Sequence, residues 1–154
     1  MHSNLAVTLA AAAAIVAGVP GQASAYGPTR PEAAVSGAPL PRIVKFETDF
    51  NTGSLEYFSV EVKDAEQLRI AEKLLAGDTE ITQRIPSGFL VKEPSSVNPG
   101  YNWHVNPEGF RFAEISGNFC NVPPSYVKEG HEVWYFGAYC PRPVKVVAIT
   151  EAPQ

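Results

Sequence analysis

The 154-residue chain has no run of lysine or arginine, and its formal net charge is −4 at pH 7. Proteins that bind nucleic acid use clustered basic residues to neutralise phosphates, so we expect no nucleic-acid partner. The chain also lacks the length of a multidomain protein, because one domain typically takes about 100 to 200 residues. We therefore expect a single domain and not a multidomain enzyme.

Motifs that specify a catalytic chemistry are absent too. The sequence has no GxSxG elbow, no HExxH segment and no Cys-x₂-Cys pair, which are typical of serine hydrolases, zinc hydrolases and compact metal sites. We therefore expect a non-enzymatic protein without a cofactor or resident metal. A metal-dependent hydrolase that uses His104 and His131 stays open as an alternative, and so does a glycosidase pair of carboxylates, because any two acidic residues can converge in space.

Charged residues are scarce at the amino terminus. An apolar, alanine-rich run from Leu5 to Val19 has the length of a signal-peptide core and is followed by proline, glycine and the small-residue triplet Ala23-Ser24-Ala25. A membrane span needs about 20 apolar residues, and this run is shorter. We predict a signal peptide over residues 1–25, a mature start at Tyr26, a secreted extracellular product and no stable membrane anchor.

The segment after the predicted cleavage site is rich in proline. Residues 26–41 contain four prolines among glycine, alanine and serine, and show no apolar periodicity. Such a composition predicts a flexible leader. We expect a single globular domain over residues 42–150, which is long enough to bury one modest core.

Cysteine is limited to Cys120 and Cys140. An even number of cysteines in an exported chain predicts that the two form a disulfide. Residues 121–139 lie between them, and closing a loop of 19 residues contributes about 3 kcal/mol to stability. A reactive thiol is disfavoured by the oxidising compartment, and a metal ligand is disfavoured by the spacing.

Local patterns predict the first half of the domain. Residues 43–62 alternate on both sides of turn chemistry at 50–54, which is typical of a β-hairpin. Asp64 and Gln67 have the spacing of a capping box, and the apolar positions that follow share one face of a helix over residues 65–76. Residues 144–149 are rich in β-branched side chains and indicate a closing strand.

The second half is predicted less directly. We expect strands at 80–85 and 89–92, interrupted at 86–88, and a hairpin between residues 101–105 and 110–115 in which His104 faces Arg111. A helix after Pro123 is favoured over a strand through residues 133–139. The predicted fold class is α+β, with a mostly antiparallel sheet of five or six short strands, two helices and one disulfide.

A longer pattern of residues carries a family resemblance. It comprises Asn98-Pro99-Gly100-Tyr101-Asn102-Trp103-His104 and Pro107, followed by Phe110, Phe112, Cys120, Trp134 and Cys140. This pattern, with NPGYxWHxxP as its most specific part, resembles a domain family of small secreted proteins from bacteria and amoebae. The resemblance covers about residues 46–149 and implies a secreted single domain. It transfers no catalytic residue.

The polar and aromatic segment from Tyr101 to Asn106 is the predicted functional site. Alternation assigns Tyr101, Trp103 and Val105 to the core and leaves Asn102 and His104 on the opposite face. The expected binding residues are Asn102, His104, Asn106 and Arg111.

These residues predict a secreted, non-enzymatic binding or adhesion module that recognises an extracellular carbohydrate or protein surface. A secreted protease inhibitor with an exposed loop at residues 86–89 is a further alternative.

Overall fold

The computed structural model describes residues 40–51, 53–129 and 133–153, apart from the side chains of Val133 and Tyr135. The predicted signal peptide, its cleavage site, most of the leader and His131 lie outside these residues. No described helix is long and apolar enough to cross a membrane. The elements are β1 Arg42–Thr48, β2 Glu56–Val62, α1 Ala65–Leu75, β3 Ile85–Val91, β4 His104–Val105, β5 Arg111–Ala113, α2 Pro124–Lys128, α3 Val133–Phe136, β6 Ala138–Tyr139 and β7 Val144–Glu151.

The first sheet is antiparallel and has the strand order β2-β1-β7. The predicted hairpin is confirmed, since β1 pairs with β2 from Arg42 opposite Val62 to Thr48 opposite Glu56. Alternate side chains face the core, where the Phe46 and Phe58 rings stack with centroids 4.9 Å apart. Because successive side chains of a strand point to opposite faces, the alternation in the sequence gives this sheet one buried face and one outward face.

Helix α1 packs against this sheet and begins as predicted. The Asp64 carboxylate accepts a hydrogen bond from the Gln67 backbone N–H at 2.9 Å, which caps the helix. In a capping box the Gln67 side chain would also accept from the Asp64 backbone N–H. That part of the prediction is wrong, because the Gln67 side-chain oxygen accepts from the Phe112 N–H at 2.7 Å. Gln67 therefore ties α1 to the second sheet.

The second sheet is built on β3, and here the predicted hairpin is wrong. Strands β4 and β5 both pair with β3 and not with each other, so His104 lies opposite Val91 and Arg111 opposite Ser87. The segment between β4 and β5 explains this pairing. Asn106 donates its N–H to the Phe89 carbonyl at 2.8 Å, and its side chain caps a 3₁₀ turn, so the chain continues along β3.

Strand β3 also corrects the prediction of two interrupted strands. It runs unbroken from Ile85 to Val91 and pairs in turn with β5, β6 and β4. Gly88 permits this, because a Cβ there would lie 2.5 Å from the Val105 Cγ1 atom. The α+β class with antiparallel sheets is confirmed, but the described residues form seven strands in two sheets and not five or six in one.

The carboxyl-terminal half is closed by the predicted disulfide. Cys120 and Cys140 are bonded and buried, and they pack with Ile85 and the partly buried Ala138. The segment after Pro123 contains two short helices, α2 and α3, and residues 138–139 form strand β6. The helix prediction is therefore confirmed at Pro124–Lys128 and Val133–Phe136 and is wrong at Ala138 and Tyr139, and residues 130–132 lie outside the described residues.

Candidate functional site

Alternation along residues 101–105 has the predicted outcome. Trp103 is 0% exposed, Val105 is buried and Tyr101 is half-buried, whereas Asn102 is exposed and His104 half-buried. The Trp103 ring lies 5.1 Å from both the Tyr101 and Tyr139 rings, measured between centroids. The core thus uses the aromatic side chains of this segment and leaves the polar ones at its surface.

His104 lies on the outer face of the second sheet, which we define as Ser87, Phe89 and Val91 of β3 with His104 and Arg111. Paired residues project from the same face of a sheet, and alternate residues of one strand do too. Four residue steps of about 3.3 Å separate Ser87 from Val91, so His104 and Arg111 stand about 13 Å apart along the strand. They flank Phe89 instead of facing each other.

The four predicted binding residues have different roles in this arrangement. Asn102 and Arg111 are exposed. The His104 Nδ1 atom lies 3.1 Å from the Glu93 carbonyl, which orients the imidazole. Asn106 accepts from the Glu108 N–H at 3.0 Å, so its side chain serves the 3₁₀ turn. His104 and Arg111 therefore share the outer face, and Asn106 has a structural duty.

Phe89 is a residue of this face that we predicted as functional only as part of an inhibitory loop and not as part of the binding site. Its side chain is 63% exposed, although it lies at the centre of a strand that pairs with both β6 and β4. Alternation in Phe89-Leu90-Val91 indicates that one set of side chains faces outward, but it does not indicate which set. The pairing of β3 with β4, β5 and β6 determines which set faces outward.

Three further apolar side chains are exposed beside the disulfide. They are Ile115, Phe119 and Phe136. The two phenylalanine rings contact each other with centroids 4.9 Å apart. Ala138 links this group to the outer face, because it pairs with Phe89 and packs against the disulfide cluster.

Two alternatives can be compared with this geometry. Residues 86–89, the predicted exposed loop of a protease inhibitor, are a paired part of β3, so the prediction of a loop at these residues is wrong. Within the described ranges, no group of three or more His, Cys, Asp or Glu side chains could hold a metal ion. His104 contacts a backbone carbonyl there, and His131 is outside the described residues.

Behind the outer face, a buried amide joins the two sheets. Asn98 is 1% exposed, accepts from the Ser59 N–H at 3.0 Å and donates to the Trp103 carbonyl at 3.1 Å. It thereby fixes Trp103, in the middle of the 101–105 segment, against β2.

We expect Asn98→Ala to lower the free energy of unfolding by about 2 to 3 kcal/mol, because it leaves one buried and one part-buried backbone group without partners. The matched control is Asn102→Ala at an exposed position, where the change should stay within about 0.5 kcal/mol. Urea unfolding of both variants measures the difference. Equal stabilities would contradict the role assigned to Asn98.

Two tyrosines of this region, the half-buried Tyr101 and the buried Tyr139, have raised pKa values. Burial, and secondarily the nearby Glu56 carboxylate, raises the pKa of Tyr101 to about 12. Burial, followed by Tyr101 and Glu56, raises the pKa of Tyr139 well above 10. Glu56 is held in place, because its carboxylate accepts from the Ser125 N–H and hydroxyl at 2.7 and 2.9 Å.

These shifts predict a loss of stability at high pH. A tyrosine ionises near pH 10 when unfolded and later when folded, so its contribution is complete below pH 10. For Tyr101 it is lost as the pH rises from 10 to about 12. Tyr101→Phe should therefore move the alkaline unfolding midpoint to higher pH. Phenolate absorbance and circular dichroism measure this, and ionisation of every tyrosine near pH 10 in the folded protein would refute it.

A family model described as the BP-74 N-terminal domain matches residues 41–153. The chain belongs to the BP-74 N-terminal domain family. The match begins one residue before β1 and continues past the end of β7, so this domain contains both sheets and the outer face. No curated protein and no solved structure matches the chain significantly.

Proposed function

We propose that the chain is a secreted, non-catalytic module that binds an extracellular protein through the outer face of its second sheet. One observation carries the proposal. Phe89 is 63% exposed between two side chains that can donate hydrogen bonds, His104 and Arg111. Large exposed apolar side chains with polar neighbours are typical of interaction surfaces.

The chemistry of the outer face favours a protein over a glycan. Phe89 has no hydrogen-bonding group, so it is suited to an apolar pocket. Arg111 has no carboxylate within ion-pair distance in the described part of the chain, so its guanidinium is available for an acidic side chain of the partner. Aromatic residues and arginine are enriched at energetically important interface positions.

The apolar group beside the disulfide enlarges the same surface. Ile115 is 84% exposed, and Phe119 and Phe136 are half-exposed. Phe119 is held next to Cys120 in a 3₁₀ turn, whose final residue is fixed by the disulfide. Side chains on a constrained backbone lose little entropy on binding, which favours recognition.

The test compares three variants of the outer face, Phe89→Ser, His104→Ala and Arg111→Ala, with the control Leu55→Ser. Leu55 is 50% exposed in the turn of the first sheet. The probes are arrays of extracellular proteins and of glycans. We expect wild type and Leu55→Ser to bind a common set of proteins, and Phe89→Ser and Arg111→Ala to bind them at least about tenfold more weakly.

Stability serves as the control for these variants. All four side chains are exposed or half-buried, so the free energy of unfolding should change by no more than about 0.5 kcal/mol. Binding to glycans alone would contradict the protein partner. Unfolding of His104→Ala or Arg111→Ala would show that these side chains are structural, and the recognition surface would be wrong.

A further inference from the structure

A cleft of about 390 Å³ lies on the outward face of the first sheet, apart from the outer face of the second. Its floor comprises side chains that the strand registers place together, since Lys45 pairs with Ser59 and Ile43 with Thr150. Tyr57 and the loop 96–99 form its walls. The volume lies in the range of small-molecule sites, which is about 300 to 1,000 Å³.

The loop wall is preformed. Asn98 anchors it through the bonds to Ser59 and Trp103 described above. Two further hydrogen bonds tighten the loop, from the Asn98 N–H to the Ser95 carbonyl and from the Val97 N–H to the Ser95 hydroxyl, both at 3.2 Å. A ligand entering the cleft therefore does not have to order this wall, which lowers the entropic cost of binding.

The cleft presents an unpaired positive charge. The Lys45 Nζ atom lies 4.8 Å from the centroid of the Tyr57 ring, and the Tyr57 hydroxyl donates to Glu47 at 3.0 Å, which fixes the ring. No carboxylate oxygen lies within 4.0 Å of Lys45 Nζ among the described residues. The acidic residue that lines the cleft, Glu151, is paired with Arg42 at 3.6 Å.

We propose that this cleft binds an acidic sugar whose carboxylate pairs with Lys45. Ile43 and Pro99 give the sugar ring an apolar contact. The hydroxyls of Ser59, Ser96 and Thr150 surround the same space and can exchange hydrogen bonds with the sugar hydroxyls. A carboxylate combined with several hydroxyls matches this lining better than a neutral sugar or a fatty acid does.

The experiment follows amide chemical shifts of the full domain by NMR during titration with glucuronate and N-acetylneuraminate, with glucose and acetate as controls. We expect shifts at residues 43–47, 57–59 and 96–99 with at least one acidic sugar. Glucose lacks the carboxylate and acetate lacks the ring, so both should bind at least about tenfold more weakly. Acetate binding as tightly as the sugars would indicate a simple anion site and overturn the proposal.

Two substitutions complete the test. Lys45→Gln should weaken binding of the acidic sugar by at least about tenfold, whereas Lys128→Gln, an exposed lysine on α2, should leave it unchanged. The Phe89→Ser variant should also keep its sugar binding, which distinguishes this site from the recognition surface of the second sheet. An unchanged affinity in Lys45→Gln, or shifts at no cleft residue with either acidic sugar, would contradict the assignment.

Discussion

Trp103→Ala is expected to lower the free energy of unfolding by about 3 to 5 kcal/mol, the range for removing a fully buried large aromatic side chain. The ring is 0% exposed and lies between the two sheets, with the Phe58, Tyr101 and Tyr139 ring centroids within 6.3 Å. The alanine variant leaves a cavity that these rigid rings cannot fill. Urea unfolding followed by circular dichroism measures the loss.

Trp103→Phe is the matched control. Trp103 Nε1 is buried and has no hydrogen-bond partner among the described residues, so phenylalanine removes a costly polar group together with part of the ring. We expect this variant to lose less than half of the stability that alanine loses. Equal losses in the two variants, or a loss below about 1 kcal/mol in Trp103→Ala, would contradict the packing role of the indole.

Removal of the disulfide is expected to cost about 3 kcal/mol, because the bond closes a 19-residue loop in the unfolded chain. The double variant Cys120→Ser, Cys140→Ser should show this in urea unfolding, and so should wild type after reduction. Ser116 also holds the backbone at the disulfide, because its hydroxyl donates to the Cys140 carbonyl at 3.0 Å.

Titration of thiols in denatured, unreduced protein is the direct chemical control. We expect no reactive thiol, since the described structure contains no free cysteine. Two thiols per chain, or a double variant as stable as the wild type, would show that the bond does not stabilise the isolated protein.

The β1-β2 hairpin and helix α1 were predictable because their signals are local, whereas β7, which pairs with β1 in the same sheet, comes from the far end of the domain. Residues 43–62 contain both strands and the turn between them, and Asp64 caps the helix that it precedes. The second sheet was not predictable in the same way. Its register depends on β3, which is contacted by segments that arrive from residues 104–113 and 138–139. No short window of sequence contains those pairings.

The candidate site too was predicted correctly where the signal is local and wrongly where it depends on strand pairing. Alternation within residues 101–105 correctly places Asn102 and His104 outside the core. The predicted contact of His104 with Arg111 was wrong, because the 3₁₀ turn at Pro107–Gly109 extends the chain along β3 instead of reversing it. Phe89 was not predicted as part of the binding site for a related reason, since its exposure depends on which face of β3 meets the core.

The most direct test of the recognition surface is a photo-crosslinking side chain at position 89, compared with the same side chain at position 55. Both positions are exposed, but Phe89 lies in β3 of the second sheet and Leu55 lies in the turn of the first sheet. Irradiation in extracellular fluid from the native source should give a discrete protein adduct from position 89 and none from position 55. Equal adducts from both positions, or none from position 89, would contradict the proposal that the outer face binds a protein.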